Sequence, residues 1–311
     1  MTVQLVTPKT YVLYHRECGD GLAAAWVAWR NLGATATYHA VDYQTELPSI
    51  EDGAIVYMLD FSAPAEVMTD LAKRCTYFCL LDHHEGMMDD VNTMLCDVSA
   101  FYRAVEDTPP VTVKFDIRES GATIAWKHWE GDEPAPAFIN YVKDRDLWDF
   151  NLPQSRSVSY GTYKTVRGLT FEEQMAMLST WAEWSQDYFV EIMTARGAWD
   201  EQQMLKRVET ALQFVEHAII GGYRVPIAYG DRNISEIAEA LYRLYPKEPF
   251  VAVAQKLKGS DEGFFKWHLR SDKHNLDSVN VFVIAQQYGG NGHYNAAGFK
   301  VKADTIEILT E

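Results

Sequence analysis

Residues 79–84, Cys79-Leu80-Leu81-Asp82-His83-His84, decide how this chain is read. A short apolar run ends abruptly in one carboxylate and two imidazoles. Such a run reads as a buried strand, and three polar, metal-competent side chains at its end are costly to bury without partners. The pattern recurs twice upstream. Tyr11-Val12-Leu13-Tyr14 runs into His15, with Cys18-Gly19-Asp20-Gly21 just beyond, and Ile55-Val56-Tyr57-Met58-Leu59 runs into Asp60. Strands that each deliver Asp or His at their carboxyl ends predict one shared site, because open parallel sheets bind ligands at that edge.

Outward from these strands, the first half of the chain alternates. Strands are expected at 11–14, 36–41, 55–59 and 77–81, with helices at 22–29, 63–74, 121–129 and 137–144; Ser120 is placed to cap the third of these helices. The alternation predicts a parallel α/β sheet covered on both faces. From about residue 170 the character changes: 171–177, 181–193 and 204–220 read as helices without intervening strands. Gly221-Gly222 is a break. Strands are expected again at 224–229, 250–256, 264–270 and 279–285, with a helix at 233–245. The expected fold class is therefore α/β, with a parallel-sheet domain at 1–168, a helical connector at 169–222, and a smaller α/β domain with a mixed sheet at 223–311.

Bulk composition bounds the function. The chain has 311 residues, 47% of them hydrophobic, which supports real cores and argues against disorder. Its formal net charge of −16 disfavours long duplex nucleic acid, whose binding relies on many Lys and Arg contacts to phosphate. A short anionic substrate remains compatible, since bound divalent cations reverse the local sign. Four cysteines, irregularly spaced, make no disulfide framework. The N-terminal stretch reads as carrying no export signal and no apolar run reaches transmembrane length. A cytoplasmic location and no membrane partner are expected; a homodimer is left open.

Taken together, His15, Asp20, Asp60, Asp82, His83 and Asp144 form an oxygen-rich donor set with some imidazole. That chemistry suits Mn²⁺ or Mg²⁺ better than a structural zinc. Crowded carboxylates repel one another, and metal counter-charge is the simplest account. Two ions about 3.5–4 Å apart could share one carboxylate and activate water for attack on phosphorus. Asp60, alone on its strand end, is the best candidate bridge. In the C-terminal part, Gly289-Gly290-Asn291-Gly292-His293 is a second constellation: clustered glycines let the backbone approach a ligand and present N–H groups to an anion. Arg270-Ser271, at a strand end, could add a bidentate phosphate contact.

At this point the chain resembles the DHH phosphoesterase superfamily, named for the triplet seen here as Asp82-His83-His84. His15…Asp20-Gly21 is similar to the family's first motif and Leu59-Asp60 to its second. Asp144-Arg145-Asp146-Leu147-Trp148 resembles the fourth. Gly289-Gly290-Asn291-Gly292-His293…Ala296-Ala297-Gly298 resembles the signature of the accessory DHHA1 domain. The resemblance implies a two-lobed, Mn²⁺-dependent hydrolase of phosphate esters. By that analogy His15 binds one metal, Asp60 bridges, and Asp20 and His83 bind the second with Asp144, or with Asp146 in its place. Asp82 is a ligand or supports one, and His84 faces the scissile phosphate, so that Asp60, Asp82 and His84 carry the catalysis. Gly290, Gly292, His293, Arg270 and Ser271 hold the substrate's phosphate end. The implied activity is hydrolysis of short oligonucleotides or linear dinucleotides to mononucleotides, as in nanoRNases. The alternatives are a nucleoside bisphosphate phosphatase, a cyclic-dinucleotide phosphodiesterase, and a non-catalytic nucleotide-binding regulator. Two departures stand out. Cys18 occupies the place of the first of two aspartates in the first motif, as a weak thiolate ligand, a spectator, or the mark of an impaired metal position. Asn291 interrupts the usual glycine run.

Overall fold

The structure, a computed structural model, describes residues 7–43, 45–105, 107, 110–272 and 278–309, and only the backbone of Asn291 and His293. It divides into two compact units, Met1–Ala198 and Trp199–Glu311. Among the described residues no helix is long and apolar enough to cross a membrane.

In the first unit, strand β1 (Thr10–His15) is followed by helix α1 (Gly19–Leu32) and strand β2 (Ala36–Val41). Then come β3 (Ile55–Leu59), α2 (Ala65–Arg74), β4 (Tyr77–Asp82), α3 (Met88–Ala104) and β5 (Val111–Phe115). Helices α4 (Gly121–Trp129), α5 (Ala137–Asp146), α6 (Ser155–Val166), α7 (Phe171–Ala182) and α8 (Gln186–Leu212) complete it, and the boundary between the units falls inside α8. All five strands pair in parallel in the order β2-β1-β3-β4-β5. The chain moves outward from β1 in one direction and from β3 in the other. The β1/β3 boundary is thus the topological switch point where such sheets open a crevice beyond the strands' carboxyl ends.

The two-residue period of a strand splits the core into two layers. Val12 and Tyr14 face one layer, with Leu59, Cys79 and Leu81 from neighbouring strands; the Ala-rich α1 and Ala122, Ile124 and Ala125 of α4 cover it. Tyr11 and Leu13 face the other, with Val56, Met58, Phe78 and Leu80, under Met68 and Leu71 of α2 and Val91 and Met94 of α3. The run Ala23-Ala24-Ala25 is fully buried, and its small side chains let α1 lie close to the sheet. Trp26 of α1 stacks on Trp126 of α4, ring centroids 6.3 Å apart. With both faces covered, the strands are continuous apolar runs, and their polar chemistry is pushed to the ends.

The second unit contains β6 (Glu216–Ile220), β7 (Tyr223–Tyr229), α9 (Ile234–Leu244), β8 (Val251–Lys256) and β9 (Phe264–Arg270), then α10 (Val281–Gln286), β10 (Asn291–His293), β11 (Ala296–Lys302) and β12 (Glu307–Leu309). Its sheet runs β10-β11-β9-β8-β7-β6-β12 and is mixed, with β7 and β8 parallel across the α9 crossover and the other neighbours antiparallel. Ala252, Ala254, Trp267, Leu269 and Phe299 form its core with Val281, Ile284 and Ala285 of α10.

Three expected elements differ. The helix expected over 181–193 is not separate: 181–182 end α7, and α8 runs on from Gln186 without a break. The helix expected over 204–220 ends at Leu212, and Glu216–Ile220 instead pairs with β7 around the tight Gly221-Gly222 turn, where both glycines have positive φ. The strand expected over 279–285 is a helix. Asn280 caps it, its side-chain oxygen accepting from the Phe282 and Val283 amides at 3.0 and 3.4 Å.

The second unit should be sensitive to acid through His268 on β9. Its Nε2 lies 3.2 Å from Gln255 Oε1. Burial, helped by the charges of Lys266 and Arg270, pushes this imidazole down to about 4. The folded value lies below the ordinary value of roughly 6.5, so the unfolded chain takes up the proton first. The stabilisation is whole above about pH 6.5 and is lost as pH falls toward about 4. His268→Gln should flatten that part of the curve in urea unfolding at about pH 7 and pH 4.5; an unchanged pH dependence would contradict the assignment.

Candidate metal centre

Three strand ends and two helix ends build the site in the first unit. His15 is the last residue of β1, Asp60 follows β3, and Asp82 closes β4 with His83 and His84 just beyond. Asp20 lies in the first turn of α1 and Asp146 is the last residue of α5. The His83 ring is the hub. Its Nε2 lies 3.1 Å from Asp60 Oδ1, 3.4 Å from Asp146 Oδ2 and 3.6 Å from Asp20 Oδ2. On the other side, Asp60 Oδ2 lies 3.6 Å from His15 Nδ1. The one carboxylate of Asp60 thus turns one oxygen toward His15 and the other toward His83. Potential ligand atoms gather into overlapping groups: His15, Cys18 and Asp60; Asp20, His83 and Asp146; and Asp60 with Asp82, His83 and His84.

Local backbone geometry aims these groups. Asp60 sits in the left-handed region, φ 54°, a strained conformation that Asp tolerates better than most residues. Its amide donates to Leu81 O at 2.9 Å, which ties the turn to β4. Gly121, the first residue of α4, packs against it: a Cβ there would stand 2.5 Å from Asp60 Cβ and 2.8 Å from Oδ1. Asp20 is held at the N-terminus of the same helix, accepting from the Gly121 amide and, at 2.9 Å, from that of Ala122, where backbone N–H groups and the helix dipole favour an anion. Asp82, fully buried, accepts from the His83 amide at 2.8 Å, from His84 Nδ1 at 2.7 Å and from the Ser62 hydroxyl. It therefore orients the His84 imidazole and fixes the backbone that carries His83.

The electrostatics call for a cation. Burial pushes the Asp20 carboxyl well above the usual range, and the charges of Asp60 and Asp146 add to the effect. Burial likewise raises Asp146. Asp60 is the exception: burial opposes its charge, but the His15 and His83 imidazoles hold it well below the usual carboxylate range. Two atoms at the centre, His15 Nδ1 and Asp60 Oδ2, are buried without any hydrogen-bond partner. Orphaned donors at this spacing, beside carboxylates that repel one another, fit divalent metal ions, and N/O donors suit the harder ones.

The structure brings together His15, Cys18, Asp20, Asp60, Asp82, His83, His84 and Asp146. It does not bring in Asp144. Helix α5 turns that side chain inward, where it is buried and accepts from the Asn151 and Leu152 amides at 2.8 and 3.2 Å. Two residues along a helix do not share a face, so only one of the pair can reach the cluster, and it is Asp146. Asp144→Ala should accordingly cost about 1–3 kcal/mol of stability by leaving buried amides unpaired. Asp146→Asn should leave the unfolding midpoint nearly unchanged while weakening Mn²⁺ binding measured by calorimetry. The reverse pattern would return Asp144 to the site.

In the second unit, Arg270 ends β9 half-buried, its guanidinium donating to Leu269 O at 2.9 Å and to Ser235 Oγ at 3.3 Å, with no carboxylate partner among the described residues. Ser271 Oγ accepts from Asn295 Nδ2 at 2.8 Å. The Gly290 amide donates to Ala285 O at 2.9 Å, so that N–H is committed to the fold rather than offered to an anion. Gly292, at φ 149°, pairs with Ala297, and a Cβ there would stand 2.4 Å from Ala297 Cα; close strand packing explains this glycine. The side chain of His293 lies outside the described residues.

Sequence reasoning does not find Gly121, Ser62 or Tyr43. Half-exposed Tyr43 packs its ring 5.7 Å from His15 and 6.3 Å from His84, at the lip of the cluster. Its only sequence signal is being an aromatic shortly after a strand.

No protein-family model matches the chain. An uncharacterised protein, R106 of Acanthamoeba polyphaga mimivirus, is 26% identical over 310 residues; the match covers 92% of this chain and 66% of the relative, so the chain spans just under two thirds of it. Among solved structures, the pGpG-specific phosphodiesterase PggH of Vibrio cholerae superposes with a TM-score of 0.56 at 13% identity, covering 95% of this chain and 94% of that one. RecJ of Thermus thermophilus in complex with Mn²⁺ gives a TM-score of 0.48 at 15% identity over 94% of this chain and 49% of RecJ. With a five-stranded parallel sheet in its first unit and a mixed sheet in its second, the chain shares its fold with PggH.

Proposed function

We propose that this chain is a divalent-metal-dependent phosphodiesterase that hydrolyses linear dinucleotides or short oligonucleotides to mononucleotides, with Mn²⁺ as its working ion. One observation carries the reading: Asp60 sets a single buried carboxylate between two groups of imidazole and carboxylate donors, at the switch point of a parallel sheet. His15 and Asp60 on one side, and Asp60, His83, Asp20 and Asp146 on the other, are the residues that would hold the ions. Bound there, divalent ions would supply Lewis-acid polarisation of a phosphoryl oxygen and a water acidic enough to attack at neutral pH.

The chain's own residues do the rest. Asp82 takes His84 Nδ1 as its partner, which fixes the ring and leaves Nε2 to face substrate. Burial opposes the imidazolium, yet Asp82 raises it to about 9, so His84 can neutralise a phosphate oxygen or give its Nε2 proton to the departing one. Tyr43 offers a ring face at the lip for a nucleobase to stack on. In the second unit, Arg270, with no carboxylate partner among the described residues, is suited to a terminal phosphate. In this reading the first unit catalyses and the second binds substrate. The fold is shared with a protein named for action on pGpG, a two-nucleotide chain, which favours short substrates here, and the net charge of −16 argues the same way.

The test is a panel assay with Mn²⁺ against dinucleotides, short RNA and DNA, a nucleoside bisphosphate and cyclic dinucleotides. Mononucleotide release should be fastest from the linear two- to four-residue substrates. Release of inorganic phosphate from the bisphosphate alone would make the chain a phosphatase, and no product from any substrate would refute an enzyme.

A further inference from the structure

The two donor groups that flank Asp60 are chemically unequal. Asp20, His83 and Asp146 offer nitrogen and oxygen alone, whereas the His15 and Asp60 pair also has sulfur beside it. Cys18 lies just ahead of α1 in extended backbone, φ −108° and ψ 132°, and its side chain caps nothing. Its Sγ, a ring nitrogen of His15 and an Asp60 carboxylate oxygen all lie within 4.8 Å of one another. On these same two residues, His15 Nδ1 and Asp60 Oδ2, 3.6 Å apart, are left without hydrogen-bond partners, and the Asp60 side chain is only 1% exposed. Those are independent signs that a ligand belongs at this spot.

We propose that Cys18 is a metal ligand, and that the His15–Cys18–Asp60 position takes a softer divalent ion of the Zn²⁺ or Co²⁺ class in preference to Mn²⁺, while Asp20, His83 and Asp146 keep the harder ion. This rests on the metal-dependent reading above and deepens it. On binding, a metal–sulfur bond forms and the thiol proton passes to solvent; nothing is oxidised or reduced. Thiolate selects softer ions, and carboxylate suits Mn²⁺ and Mg²⁺. The centre would thus be a mixed one, with the sulfur side tuned away from Mn²⁺.

Co²⁺ titration of the full chain, followed by absorption and by equilibrium dialysis, tests this. The expected result is a near-ultraviolet thiolate-to-cobalt charge-transfer band that survives Cys96→Ser, at an exposed thiol, and vanishes in Cys18→Ser. Cys18→Asp, which swaps sulfur for oxygen should the serine variant fold poorly, should lower the preference for Zn²⁺ over Mn²⁺ at that position by at least the roughly 10–100-fold that even an outer hydrogen-bonding partner controls. Co²⁺ bound in dialysis without a charge-transfer band, or a band that persists in Cys18→Ser, overturns the thiolate ligand and leaves the metal centre standing. No bound Co²⁺, Zn²⁺ or Mn²⁺ overturns both.

Discussion

Asp60→Asn should abolish turnover while leaving the fold intact. Asparagine matches aspartate in shape and tolerates the left-handed backbone at this position at least as well, so the φ of 54° and the amide bond to Leu81 survive. What is lost is the second carboxylate oxygen. With one oxygen toward His15 and the other toward His83, Asp60 faces both donor groups, and an amide can serve only one. Loss of an outer hydrogen-bonding partner already costs about 10–100-fold in metal affinity or activity. Loss of the shared carboxylate should exceed the upper end of that range in kcat/KM, with unchanged circular dichroism. Activity within a few-fold of the parent would show that Asp60 is a structural turn and not a bridge.

Gly121→Ala should be nearly as damaging, from a residue that offers no side chain to a metal. The added methyl must occupy space 2.5 Å from Asp60 Cβ and 2.9 Å from its Cα, which is backbone that cannot give way cheaply. Either α4 withdraws, carrying away the amides that hold Asp20, or Asp60 shifts. Overpacking of this kind costs about 1–3 kcal/mol of stability, and a displacement near 1 Å at a reacting centre costs about 10²-fold in rate. Thr123→Ala is the control. It removes half of the capping box of the same helix, with a stability cost of about 1 kcal/mol, and leaves Asp60 untouched. A Gly121→Ala variant with the parent's activity and Mn²⁺ affinity would show that α4 does not position the centre.

The strand ends carrying His15, Asp60 and Asp82 are legible in the sequence because a sheet covered on both faces demands unbroken apolar strands, and a charged residue can only follow them. Helix register is less visible. Asp144 and Asp146 both sit at the right distance along the chain, and only the turn of α5 shows that the first supports the loop at 149–152 while the second reaches His83. Residues 279–285, rich in valine, fit strand and helix alike over so short a run; the Asn280 side chain bonded to two amides decides for helix. β5 is a partly buried edge strand and α3 opens on two aspartates, so neither carries a strong apolar period. Gly121 and Ser62 act through contacts with Asp60 and Asp82 across 61 and 20 residues, and nothing local in the chain announces them.

The most direct measurement is the anomalous diffraction of crystals grown with Mn²⁺ and Co²⁺. The account predicts two metal peaks in the first unit, one on either side of the Asp60 carboxylate, the first ligated by His15 and the second by His83, Asp20 and Asp146. A single peak that does not touch Asp60, or no peak among these residues at saturating metal, would contradict it.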